Sequence, residues 1–253
     1  MVQPHPYIQT PPNETIIWRY MNYTKFLSCL LQSSLHFSRF DKLGDPFEGS
    51  SHFEQERFIK SQEGEVKRAG NYKNFEKAYV NVKYSMFINC WHMTETESDL
   101  MWKAYCPSGD GVAIKSTVKD MVESFRGEKN QVIYIGKVNY IDYEREEIPP
   151  GNVFHNFLHK RKYFKSENEL RAIAWTYQNE EIKKIYNPLE MKLDKDDPKY
   201  FGFYFSVNFQ RLLNAVYLSP FSQKWLVDLT RHQLKIAGLD KVPVFSSGLD
   251  SRP

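Results

Sequence analysis

The stretch Arg161–Trp175, RKYFKSENELRAIAW, limits this chain more than any other. A basic, aromatic approach runs into three ionisable residues at every second position, and an apolar run follows. Read as a strand, the period of two puts Glu167, Glu169, Arg171, Ile173 and Trp175 on one face and Leu170, Ala172 and Ala174 on the other. Like charges so placed repel and have to be managed. One outcome is a solvated strand end on which Arg171 pairs weakly with one Glu. The other is a site that presents one perturbed carboxylate to a cleft.

The rest of the chain supplies partners for that strand. Residues 1–14 carry Pro4, Pro6, Pro11 and Pro12 and read as an extended lead-in. A strand is expected over Thr15–Met21, a helix capped by Thr24 through Ser33, and a second strand over Leu35–Phe40. The loop Asp41–Gly49 carries Asp45 and Glu48 around Pro46-Phe47, either as a turn bonding its own amides or as a functional loop. Residues 52–83 are polar with spaced aromatics and read as a helical excursion. Strands are expected over Ser85–His92, Gly111–Lys115 and, as one long element, Val132–Tyr143. Thr94 or Thr96 starts a helix carrying Leu100, Met101, Trp102 and Tyr105, and Thr117 caps a helix over Val118–Phe125. Asn156–Tyr163 reads as a short basic helix or bend. A charged excursion at 178–199 precedes strands near 200–207, 215–220 and 241–246, and a helix from Ser222 to Ala237 ends at Gly238. Uneven interleaving of strands and helices predicts an α+β fold with a largely antiparallel sheet and flanking helices, as one domain over 15–253.

Composition narrows the classes. The formal net charge of +3 is too small to argue for nucleic acid or a membrane surface, and 41% hydrophobic residues suffice for a sizeable core. No apolar run approaches the roughly 18 residues a membrane helix needs. Cys29, Cys90 and Cys106 are widely spaced and odd in number, as free thiols in a reducing cytoplasm would be.

Metal and nucleophile patterns are weak. Cys90-x-His92 with Cys106 lacks a second close pair, and His155 with His159 lacks the Glu of a zinc protease motif, so no metal is expected. Nothing marks Cys90 as activated. A magnesium-dependent nuclease built on Asp45, Glu48, Glu167 and Glu169 lacks a lysine two residues after the carboxylate, where Arg171 stands. A third arrangement uses Arg19 to hold a phosphate or ribose, Ser38 on the next strand, and Glu169 to stabilise positive charge on a ribose carbon, with Glu167 positioning an acceptor. Trp91, Trp102 and Tyr105 are candidates for a stacking wall, although large aromatics at such spacing usually serve the core.

Trp18-Arg19-Tyr20-Met21, Leu35-His36-Phe37-Ser38-Arg39, Gly44-Asp45-Pro46-Phe47-Glu48, Asn89-Cys90-Trp91-His92, Met101-Trp102 and Lys160-Arg161-Lys162-Tyr163-Phe164 with Glu167-x-Glu169-x-Arg171 resemble a bacterial family catalogued as domain of unknown function 2971. The resemblance runs over about residues 15–245. The opening strand, helix and strand also look like the start of ADP-ribosyltransferase domains that modify DNA or proteins. That likeness implies NAD as substrate, contacted by Arg19 and Ser38 with Trp91 and Tyr105 beside it, and catalysis by Glu169 with Glu167. It further implies a protein or nucleic-acid acceptor and a role in bacterial conflict or phage defence. The chain departs from the Ser-Thr-Ser pattern at Arg39 and Phe40, and His92, Trp102, Arg171 and the Asp45–Glu48 loop have no assigned place in it. The alternatives are a non-catalytic module that binds a nucleotide or partner and a magnesium-dependent nuclease.

Overall fold

Strand burial in this chain is mostly two-sided. Ile17, Trp18, Tyr20 and Met21 are all buried, and the strand Glu169–Trp175 is buried from Glu169 through Ala174. Such strands need cover on both faces of their sheet. The computed structural model describes residues 1–45, 47–50, 82–107, 109–179 and 197–250, and the excursions expected near 52–83 and 178–199 fall almost wholly outside these.

The described strands are β1 (Ile16–Asn22), β2 (Ser34–Arg39), β3 (Met86–Met93), β4 (Gly111–Thr117), β5 (Ile133–Lys137), β6 (Asn139–Ile141), β7 (His159–Arg161), β8 (Glu169–Trp175), β9 (Gly202–Ser206), β10 (Ala215–Leu218) and β11 (Val244–Ser246). The helices are α1 (Tyr23–Gln32), α2 (Asp99–Tyr105), α3 (Val118–Ser124), α4 (Val153–Leu158), α5 (Phe209–Leu212) and α6 (Trp225–Ile236). Nine strands form one α+β sheet, antiparallel except for β10 with β11, while β6 and β7 pair in parallel as a small separate ladder. The main core lies on one face, where α1, α3 and α6 contribute Phe26, Met121 and Leu234. The other face is covered by α4 through Phe154, Phe157 and Leu158, and by α2 through Met101 and Trp102.

The sheet forks at β3. One side of β3 pairs with β8 along its length, from Met86 against Trp175 to His92 against Glu169. The other side is divided, with β2 at Phe87 and Ile88 and β1 at His92 and Met93. Asn89, Cys90 and Trp91 therefore face a gap between β1 and β2. Side chains fill it: Asn89 Nδ2 donates to the His36 carbonyl at 2.8 Å, and Arg19 Nη1 donates to the Cys90 carbonyl at 3.1 Å. Buried backbone groups require partners, so a fork must recruit such donors.

Most elements begin within two residues of where the pattern puts them, and the exceptions have local causes. The helix expected from Thr94 or Thr96 starts later, because Ser98 accepts from the Met101 amide and caps α2. The α1 cap is Asn22 rather than Thr24. The long strand expected over Val132–Tyr143 is two strands in two sheets, separated at Val138, whose amide donates to the Glu169 carbonyl. The segment expected as one bend over Asn156–Tyr163 comprises the end of α4, β7 and the start of a 3-10 turn. The extended lead-in lies along β5, an edge of the sheet, with Val2 bridged to Ile133 and the Thr10 hydroxyl on the Ile135 carbonyl at 2.6 Å. Covering an edge removes a template for unwanted pairing.

Candidate functional site

Strand β8 starts at Glu169, two residues later than the alternation from Glu167 implies. Glu167 closes a 3-10 turn, and Asn168 takes a left-handed conformation at φ 36° with its Nδ2 on the Met93 carbonyl at 2.5 Å. Glu167 therefore leaves the strand face on which it was expected, whereas Glu169 and Arg171 keep theirs. Asn tolerates that backbone region better than most residues with a side chain.

A buried ion network has Arg171 at its centre. This guanidinium is 0% exposed; its Nη2 donates to Glu169 Oε2 at 2.8 Å and to Glu48 Oε1, and its Nη1 donates to the Phe157 carbonyl at 2.7 Å. Lys160, on β7, reaches three carboxylates: Glu167 at 2.7 Å, Glu48 at 3.3 Å and Glu169 at 3.7 Å. The next residue, Arg161, grips Asp45 through both oxygens at 2.7 and 3.1 Å, with its guanidinium over the Phe47 ring. Consecutive residues of one short strand thus hold both ends of the Asp45–Glu48 loop. Gly49 completes the loop at φ 67°, where a Cβ would meet the Phe40 ring.

Electrostatics separate the two glutamates. Burial alone would raise the pKa of Glu169, yet Arg171 and Lys160 outweigh it and hold the carboxyl below its ordinary value. Burial dominates at Glu167 and leaves it above its ordinary value despite Lys160. Burial would depress Lys160, but Glu169 and Glu48 keep it above the usual ammonium value. Within the cluster Asp45, Glu48, Glu167 and Glu169 face Lys160, Arg161 and Arg171, so carboxylates exceed cations by one.

Cys90 joins this cluster to Arg19. Its carbonyl accepts from Arg19, and its thiol lies against the Glu169 carboxylate. Burial and the Glu169 charge push the thiol well up, which makes Cys90 a poor nucleophile. Arg19 Nε is buried, with no hydrogen-bond partner among the described residues. Tyr105 is 49% exposed, and the pKa of its hydroxyl is raised by burial and by Cys90, Glu167 and Glu169 and eased by Arg19.

The other sequence candidates divide. Ser38 is half-buried beside Ile88 and shares the Glu169 face by alternation. Four residues along β8 and two strand spacings separate it from Glu169, roughly 16 Å by strand geometry. His92 sits against Glu169 on the neighbouring strand with Nδ1 2.5 Å from the Glu167 carbonyl oxygen. Trp91 is buried in the main core, on the face opposite Glu169, with its indole on Asn89 Oδ1 at 2.7 Å. Trp102 is also interior, packed with Trp18 and Tyr20. Neither indole lines a cleft, which leaves Tyr105 as the half-exposed ring of the three.

Lys160 is the residue the sequence reading passed over. Its signal lay in the basic approach, where Lys160-Arg161 precedes the acidic pair. The cations also occupy the carboxylates that a nuclease would need for magnesium, and among the described residues no group of three or more His, Cys, Asp or Glu is placed to hold a metal ion. No described helix is long and apolar enough to cross a membrane.

A family model described as a protein of unknown function (DUF2971) matches residues 101–172. The match runs from α2 into β8 and takes in Lys160, Glu167, Glu169 and Arg171, but not Arg19, Ser38 or Asp45–Glu48. No curated protein matches. Among solved structures, Thermus sp. 2.9 DarT in complex with ADP-ribosylated ssDNA aligns over 96% of this chain and 98% of its own, at 8% identity and a TM-score of 0.36. A TM-score that low is too loose to carry any residue's role across.

Proposed function

We propose that this chain binds NAD across the fork between β1 and β2 and transfers its ADP-ribosyl group. The observation that supports the reading is the position of Cys90, with Arg19 on its carbonyl and Glu169 against its thiol. An anion-binding guanidinium and an ionised carboxylate thereby flank one residue of one strand. Arg19 has a buried N–H to spare, suited to a pyrophosphate or ribose oxygen. By strand geometry Ser38 and Glu169 lie about 16 Å apart on one face, the scale of a dinucleotide rather than of a single sugar. Arg19, which alternates with the main-core residues Ile17 and Met21, enters the fork from the other face.

Each residue then has a role. Glu169 stays ionised at neutral pH, and both cations make their closest approach to its Oε2. Such a carboxylate stabilises the positive charge that grows on the ribose carbon as the nicotinamide bond breaks. Glu167, whose pKa is raised, serves as base for the acceptor. The surplus carboxylate suits a cationic nicotinamide ring, with Tyr105 as its wall. The second reading, nucleotide binding without turnover, is favoured by one feature: Glu169 is only 6% exposed and already paired with two cations.

NAD consumption and NAD binding by calorimetry separate the readings. Glu169→Gln is expected to lower consumption at least about a hundredfold. Arg19→Lys keeps the charge but loses the donor to the Cys90 carbonyl, and is expected to weaken NAD binding about tenfold in a chain that still folds with a stability loss of about 1–3 kcal/mol. Binding without turnover, indifferent to Glu169→Gln, would establish the second reading. A folded wild-type chain that neither binds nor consumes NAD would end both.

A further inference from the structure

A second site lies away from the fork, in a groove between the end of α1, the turn after α3, and α5. Its volume is about 450 Å³, and its walls include Gln32, Ser33, Ser124, Ser206 and Asn208. Among the described residues Val207 is the sole apolar side chain in that lining, and none there is aromatic. Two guanidiniums converge on one carboxylate there: Arg211 Nε is 3.1 Å from Glu123 Oε2 and Arg126 Nη2 is 3.5 Å from Glu123 Oε1. Glu123 is 15% exposed, whereas Arg126 and Arg211 are 74% and 60% exposed. The carboxylate is thus part of the wall and the guanidiniums are the movable partners.

We propose that this groove binds a phosphorylated sugar, with Arg126 and Arg211 on the phosphate and Glu123 as its built-in competitor. A carboxylate ligand would only repeat what Glu123 already offers. A phosphate monoester brings close to two negative charges and three strong acceptor oxygens, enough to draw both guanidiniums from a single carboxylate. The volume falls within the usual range for small-molecule sites and exceeds what a bare phosphate fills. Hydroxyl and amide walls suit a polyol. The lack of an aromatic wall argues against a nucleobase, which would seek a stacking partner.

Calorimetric titration of the full chain with ribose 5-phosphate tests the assignment, with inorganic phosphate in a parallel arm. Ribose 5-phosphate is expected to bind at least several-fold more tightly than phosphate. Arg211→Ala and Arg126→Ala should each weaken it about tenfold or more, the scale of one charge-assisted contact. Glu123→Gln should tighten it several-fold, which a merely structural Glu123 would not do. Arg145→Ala, at an exposed arginine outside the groove, should leave the affinity unchanged. Equal affinity for phosphate would overturn the sugar assignment. No saturable binding, or binding insensitive to Arg211→Ala, would overturn the site. Because the arginines are exposed, these variants put little of the fold at risk.

Discussion

The ion network beside the fork and the groove use the same unit, a carboxylate shared between two cations, in opposite solvents. In the network Glu48 lies between Arg171 and Lys160, and all three side chains are under a tenth exposed. In the groove Glu123 lies between Arg126 and Arg211, and both cations are mostly in water. Distances alone barely distinguish the two. Burial does, because taking a charge out of water costs several kcal/mol and makes every remaining partner obligatory. A solvated pair is nearly neutral in energy and free to exchange its partner for a ligand. The first arrangement can hold a carboxylate ionised in the interior. The second can release its cations.

Breaking the buried unit should have the largest effect. Arg171→Met leaves Glu48 and Glu169 in the interior without their main counter-charge, and is expected to cost about 3–5 kcal/mol of stability in urea unfolding. A loss below about 1 kcal/mol would mean that water reaches the cluster and that the contrast with the groove is false.

The pH dependence follows from the same burial. Glu169 lies below its ordinary value of 4.5 in the folded chain, so its contribution is present above that pH and lost as pH falls through the folded value. Lys160 lies above its ordinary value of 10.5, so its contribution is complete below that pH and lost as pH rises through the folded value. Glu167 has the opposite sign to Glu169: its folded value is above 4.5, and ionising it costs stability as pH rises from 4.5 through that value. In Glu169→Gln the loss of stability below pH 4.5 should flatten, whereas in Lys160→Met the alkaline loss should lessen without disappearing, because Tyr20, Tyr105, Tyr140 and Tyr143, raised by burial, also lose stability as pH rises. Urea midpoints measured from about pH 3 to 11 would show whether each limb belongs to the residue named.

How much of this was legible follows from how local each feature is. Alternation in Leu170–Ala174 and helical spacing in Phe26–Leu30 are set by neighbours in sequence, and those elements form as expected. The register of Glu169 was also readable, but the departure of Glu167 was not, because it depends on Asn168 reaching the Met93 carbonyl across the sheet. The Asp45–Glu48 loop looked like a turn with its own hydrogen bonds. It does make two, Asp45 Oδ1 accepting from the Phe47 amide and the Asp45 carbonyl from the Glu48 amide, each at 3.0 Å, yet its side chains also bind Arg161, Lys160 and Arg171, more than a hundred residues away. The groove left no trace in any motif, since Gln32, Glu123 and Arg211 come from three separate helical segments. Long-range pairing was the unreadable part, and both sites are built from it.

Salt provides a milder contrast. Raising ionic strength from about 0.05 to 1 M shortens the screening length from over 10 Å to roughly 3 Å, which weakens solvated pairs and scarcely touches buried ones. Ribose 5-phosphate binding in the groove should fall several-fold over that range. The stability difference between wild type and Arg171→Met should stay constant within about 0.5 kcal/mol. If that difference also shrinks with salt, the network's charges are in contact with solvent, and Glu169 loses the dry surroundings its proposed role requires.

The smallest expected effect is on the groove's own stability. Arg211→Ala removes the closer of the two exposed contacts to Glu123, and an exposed pair contributes about 0–1 kcal/mol. Its urea midpoint should therefore match wild type within about 0.5 kcal/mol, even though ligand affinity falls about tenfold. Stability and binding would then part company in the groove, where Arg211 is held loosely enough to leave its carboxylate for a phosphate. A stability loss of 2 kcal/mol or more, an estimate typical of broken buried networks, would instead make Glu123 a second Glu48 and the groove a structural joint.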